Sequence, residues 1–214
     1  MQKTVLITGF GPFPRAPFNP TGPLVQRLAR VRRPAFADVK RVAHVFATSY
    51  SAVERELPDL IARHRPAAIL MFGLATRTRH VRIEMRARNA ITAAIPDVDG
   101  IRHRSRTIVA KGPAARMFPP LSARLMLAAR RQRVPTRLSR DAGRYLCNYL
   151  CWRALELAER RAGPPILAFV HVPAVRRAPV ARARSKRRSL TVDDLLRAAE
   201  AILCIVLAAA RARR

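Results

Sequence analysis

Four short runs in this chain are apolar almost throughout instead of alternating with polar residues. They are residues 4–9 (TVLITG), 39–48 (VKRVAHVFAT, the most mixed), 67–73 (AAILMFG) and 166–172 (ILAFVHV). A strand with one wet face alternates; a strand that does not needs cover on both faces. The intervening segments supply that cover at helical spacing. Leu24, Leu28 and Val31 mark one helix, Val53, Leu57, Leu60 and Ile61 a second, and Leu121, Leu125 and Leu127 to Ala129 a third. A fourth begins near Gly143 and runs past Leu155. The last opens at Thr191, with Asp194 three residues on in a capping-box pairing, and carries Leu195, Leu196, Ile202, Leu203 and Val206. Strands alternating with helices predict an α/β fold of one domain, residues 1–214. Its architecture is a three-layer α/β/α sandwich around a mostly parallel central sheet.

Two segments break the pattern. Residues 95–120 are rich in Gly, Pro and charge and predict an irregular excursion or hairpin. Residues 174–189 form a basic, Pro-broken stretch that predicts a mobile loop. No run of eighteen uncharged apolar residues exists, so no membrane-spanning helix is expected. The first residues enter a strand-like run without a cleavable leader pattern, which predicts a cytoplasmic protein. The three cysteines, an odd number, predict free thiols. Cys147 and Cys151 alone do not make a metal site, and no histidine stands at ligand spacing from them, so neither metal nor other cofactor is expected. A Gly-x-Gly at Gly9 and Gly11 suggests a phosphate turn. Pro14 stands where a dinucleotide fingerprint needs its third glycine, and the pattern fails there.

The formal charge is +29, from 42 basic and 13 acidic residues. Such a balance favours polyanions through counterion release. Aromatic residues are 6% of the chain and none interleaves with the basic runs as a base-stacking platform requires. The residues therefore favour an arginine-rich solvated surface over specific nucleic-acid binding, with non-specific polyanion binding as an alternative.

Three residues invite a chemical reading. Cys147 falls in the first turns of the fourth helix, where the positive end of the helix dipole favours a thiolate nucleophile; the alternative is a small core residue. Cys151, a turn deeper, reads as packing. His171 ends a buried strand, where open α/β sheets place their sites; the alternative is a satisfied core histidine. The other histidines, His44, His64, His80 and His103, read as surface residues. Glu84 is the only acidic residue between Arg77 and Arg88. Neighbouring cations would keep it ionised and able to orient an imidazole, or it forms a local ion pair with Arg82 or Arg88.

Five motifs in order then carry a resemblance: VLITGFGPFPRAPFNPTG, VRIEMRARN, IPDVDG, LSRDAGRYLCN and FVHVP. Together they resemble the pyroglutamyl peptidase I family, cysteine peptidases that remove an N-terminal 5-oxoproline from peptides. The resemblance implies a catalytic triad of Glu84, Cys147 and His171 and no cofactor. It also implies a pyrrolidone pocket from Phe10, Phe13, Leu74, Ile95, Tyr145 and Leu146. Backbone N–H groups near Cys147 and in the loop from Phe10 to Phe13 are the expected oxyanion donors. Peptides with an N-terminal pyroglutamate are the implied partners, and a homo-oligomer, a tetramer as in many bacterial members, the implied assembly. The chain departs from the family pattern at Thr76, Arg82, Met85, Arg86 and Tyr149, and at Leu74, where a polar Gln is frequent. A polyanion-binding protein and a catalytically silent relative on the same fold stand as alternatives, and the resemblance gives no reason for the charge.

Overall fold

A computed structural model describes residues 2–13, 16–175 and 189–213. In chain order the elements are β1 (Lys3–Phe10), α1 (Thr21–Arg30), a 3₁₀ turn (Pro34–Phe36), β2 (Val39–Phe46), α2 (Tyr50–His64), β3 (Ala68–Ala75), β4 (Val81–Glu84) and β5 (Arg86–Arg88). They continue with β6 (Ala115–Met117), α3 (Ser122–Arg131), β7 (Thr136–Ser139), α4 (Leu146–Glu159), β8 (Ile166–Pro173) and α5 (Val192–Ala212). Each of the four apolar runs forms a strand, and β1, β3 and β8 sit side by side in the sheet centre. The order is β2-β1-β3-β8-β4-β7.

The sheet is mostly parallel, as expected; the β4–β8 pair is antiparallel, so β4 and β7 run opposite to the other four strands. Two sheet strands have no counterpart among the predicted runs. β4 (VRIE) and β7 (TRLS) are four residues each, lie at one side of the sheet and carry charges, so neither shows the continuous apolar run of a central strand. The excursion at 95–120 is largely irregular, but it contributes β6, which pairs antiparallel with β5. Residues 176–188, the bulk of the basic stretch, lie outside the described residues.

The helices cover both faces. α1, α3 and α5 bury aliphatic residues against one side, including Leu24, Leu125, Ile202 and Leu203 with Val5, Leu70 and Val170 of the sheet. α2 and α4 cover the other side, where Val53, Leu57, Leu150 and Trp152 meet Leu6, Met71 and Phe169. The Thr191–Asp194 capping box is formed and starts α5. Leu127, expected to help bury α3, is 50% exposed.

Candidate active site

β8 carries His171 near its C-terminal end, and both strands that flank it matter. On one side Gly73 of β3 is its register partner; on the other, Arg82 of antiparallel β4 stands opposite. Side chains on a strand alternate, so Glu84, two residues beyond Arg82, projects on the same face. The Glu84 carboxylate is completely buried and its Oε1 lies 2.7 Å from His171 Nδ1.

Cys147 comes from a different layer. It is the second residue of α4, whose entry is shaped by Gly143 at φ +86, a left-handed value that glycine accepts without strain. The Cys147 side chain is half-buried and lies close enough to His171 to act on its imidazole. Gly73 makes room for it: a Cβ there would stand 2.7 Å from Cys147 Sγ and 2.7 Å from Phe169 Cζ. Asn148 locks the helix start in place. Its amide donates to the carbonyls of Arg88 and Ala90 at 2.8 Å each and accepts from Arg88 N–H at 2.9 Å.

The electrostatics follow from burial and pairing. Burial alone opposes a charged His171, but the Cys147 sulfur and the Glu84 carboxylate outweigh it and lift the imidazole pKa to about 9. Burial likewise works against an ionised Glu84, yet His171, Ser139 and Arg82 hold its pKa below the ordinary carboxylate value. Cys151 is wholly enclosed, and burial raises its thiol well above the usual value, so it packs in a protonated form.

Comparison with known proteins sets this geometry in context. Pyrrolidone carboxyl peptidase from Thermococcus litoralis superposes with a TM-score of 0.87 at 26% identity, covering 99% of this chain and 96% of that one. A pyrrolidone-carboxylate peptidase of Pseudomonas fluorescens is 33% identical over 199 residues, 91% of this chain and 88% of the relative. One of Deinococcus radiodurans is also 33% identical, over 81% of this chain and 79% of its own length. The family model for pyroglutamyl peptidase matches residues 3–210. The chain belongs to the pyroglutamyl peptidase family.

The other expected site residues of this pyroglutamyl peptidase family member fall around the same end of the sheet. Phe10 closes β1 and is buried; Phe13, in the loop beyond, is half-buried and bridges to Ala16. Leu74 follows Gly73 on β3, half-buried. Tyr145 is the N-cap residue of α4, and Leu146, its first residue, is buried. Ile95 lies in an irregular turn tied to the α4 entry, because Tyr145 Oη donates to the Pro96 carbonyl at 2.9 Å.

The expected oxyanion donors divide. Phe10 N–H bonds to Thr21 Oγ1, Gly11 N–H to the Phe46 carbonyl and Phe13 N–H to the Ala16 carbonyl, while Pro12 has no N–H. That loop therefore holds itself and has no donor left for a substrate, a correction to the sequence reading. The N–H groups in the first turn of α4 have no intrahelical partner, as at any helix start.

The ion pair that the sequence offered between Glu84 and Arg82 is formed, alongside the Glu84–His171 contact. Other residues of this site escaped sequence reasoning. Tyr50, the first residue of α2, is buried in one apolar cluster with Phe10, Leu146 and Cys147, and its hydroxyl has no hydrogen-bond partner among the described residues. Asp97 orders the turn beside it, accepting from Tyr50 N–H at 3.0 Å and Ile101 N–H at 2.9 Å. The signals were there as single polar letters in mixed segments, and nothing local distinguishes them. The remaining histidines are half-buried rather than surface residues: His44 pairs with Glu56 at 2.8 Å, and His103 packs edge-on against Tyr50.

Proposed function

We propose that Cys147, His171 and Glu84 carry out on this chain the reaction of its family, in which a cysteine peptidase removes N-terminal pyroglutamate from peptides. The observation that carries the assignment is the single line of contacts from Cys147 through His171 to a buried, ionised Glu84. Glu84 occupies Nδ1, so the other ring nitrogen serves the sulfur. Below pH about 9 His171 already holds the proton given up by the Cys147 thiol, and Glu84 supports that imidazolium. The sulfur attacks the pyroglutamyl carbonyl carbon, and the carbonyl electrons move to oxygen. Donors in the first turn of α4 face that developing charge, each worth about 3 kcal/mol in comparable sites. As the intermediate collapses, the C–N bond breaks and His171 returns its proton to the leaving amine. Water, deprotonated in turn by His171, adds to the thioester; the C–S bond breaks and free pyroglutamate departs.

Phe10, Phe13, Leu74, Ile95, Tyr145 and Leu146 form the wall for the pyrrolidone ring in this reading. A blocked N-terminus carries no charge, so an apolar wall accepts it and penalises a free ammonium. Leu74 offers no polar contact there, and the free Tyr50 hydroxyl is the donor we assign to the lactam. A single peptidase domain, a cytoplasmic location and a homo-oligomeric assembly belong to the same proposal, supported by the free cysteines and the family resemblance. Among the described residues no helix is long and apolar enough to cross a membrane.

The test is hydrolysis of a pyroglutamyl-linked reporter amide by the wild type and Cys147→Ala. Release by the wild type alone supports the reading; equal rates, or a folded and reduced wild type without activity, refute it. Beside this stands non-specific polyanion binding, supported by the net charge and by a cavity of about 500 Å³ whose lining includes Arg79, Arg131 and Arg133, with Arg197 paired to Asp194. Salt-dependent retention on DNA that Cys147→Ala leaves unchanged is its expected signature.

A further inference from the structure

Arg82 stands where three parts of the site meet. Its Nε and Nη2 donate to Glu84 Oε1 at 3.1 and 2.8 Å, the same oxygen that accepts from His171. Nη2 also donates to the Asp141 carbonyl at 2.6 Å and lies 3.4 Å from His171 Nδ1. One side chain thus ties the orienting carboxylate of β4 to the loop that leads into the Cys147 helix. It also sets a permanent cation beside the imidazole. Its side chain is 23% exposed, so the charge is only partly screened.

We propose that Arg82 is a positioning residue of this enzyme: it fixes Glu84 and the loop before α4, and it weakens the hold of His171 on its proton. The proposal rests on the catalytic reading above. Its logic is electrostatic and geometric. An oxygen shared between a guanidinium and an imidazole stabilises the imidazolium less than one devoted to it. A cation 3.4 Å away opposes the same charge directly. The fork geometry of arginine lets one group hold both the carboxylate and a backbone carbonyl, which a lysine ammonium does less rigidly. The other charged groups are accounted for. Cys147 faces His171 from α4 and Glu84 from β4, Cys151 of α4 senses Glu84, and Asp141 pairs outward with Arg88 at 3.2 Å.

The sign is fixed by charge. In the wild type the imidazolium persists until pH rises through about 9, so activity falls on that alkaline side. Removing the cation favours the imidazolium and moves this limb upward. Arg82→Met removes charge and fork; Arg82→Lys keeps the charge. We expect Arg82→Met to lower kcat about tenfold and move the limb up by about one pH unit. Arg82→Lys should hold the wild-type limb while recovering part of kcat. An unmoved limb in Arg82→Met, or the same shift in Arg82→Lys, overturns the proposal. A ring-proton NMR titration of His171 separates this from the catalytic reading. With Cys147→Ala in the background, adding Arg82→Met should still raise the His171 midpoint. No change there refutes the role of Arg82 even in an active enzyme. A clear rise in a protein whose wild type cleaves no reporter refutes the catalytic reading and retains the coupling.

Discussion

The two faces of the sheet are built from different materials. The face under α1, α3 and α5 is chiefly aliphatic: α5 alone buries Leu195, Ile202, Leu203, Val206 and Leu207 along its 21 residues. No residue of the proposed triad comes from those helices. The face under α2 and α4 holds Phe10, Phe46, Tyr50, Tyr149, Trp152 and Phe169, and polar groups thread between the rings. Arg116 stacks over Trp152 at 4.8 Å, Tyr149 bonds to Glu54, and Cys147 reaches from α4 to the strand end. Aliphatic packing needs no partners beyond contact; a mixed face carries polar atoms whose partners constrain side-chain positions. The first face therefore supplies stability and the second supplies geometry.

Substitutions can break that division, and the largest effect belongs to the second face. Glu84→Gln keeps shape and removes the charge behind His171; kcat should fall by about 10²–10⁴-fold in a folded protein, read in steady-state kinetics. Gly73→Ala forces the sulfur from its seat, with an expected loss in kcat of about 100-fold, because an ångström of misplacement suffices. Leu203→Ala on the aliphatic face should cost about 2–5 kcal/mol in denaturant unfolding and leave kcat unchanged below the transition. A comparable loss of kcat there would erase the distinction between faces. Tyr50→Phe removes the free donor and should raise KM about fivefold, roughly 1 kcal/mol, with little change in stability.

The proposed triad also couples the site to stability. Because His171 has a raised pKa, its pairing with Cys147 and Glu84 contributes fully below the ordinary histidine value. That contribution is lost as pH rises through about 9. Thermal unfolding across that window should show the decline in the wild type and much less of it in Glu84→Gln.

What was legible in the letters follows the same physics. β1, β3 and β8 announced themselves because strands buried on both faces leave no room for alternation. β4 and β7 did not, since four residues at one side of a sheet carry too short a pattern. Glu84 stood out as one acid among cations, and Cys151 as an apolar-face residue. Arg82 was legible as an ion-pair partner of Glu84 but not as a neighbour of His171, because its place opposite His171 is set by the antiparallel β4–β8 register and not by any local spacing. Tyr50 carried no signal of its own, since an unpaired hydroxyl exists only once the fold encloses it. The motifs around Phe10 and Phe13 were visible, but their hydrogen bonds to Thr21, Phe46 and Ala16 were not.

The central claim is that Cys147 forms the covalent intermediate. Acid quenching during turnover of a pyroglutamyl reporter, followed by peptide mapping, addresses it directly. The account predicts a hydroxylamine-labile pyroglutamyl group on the peptide containing Cys147, absent after Cys147→Ala. The same adduct on Cys151 or Cys204, or turnover that survives Cys147→Ala, would contradict it.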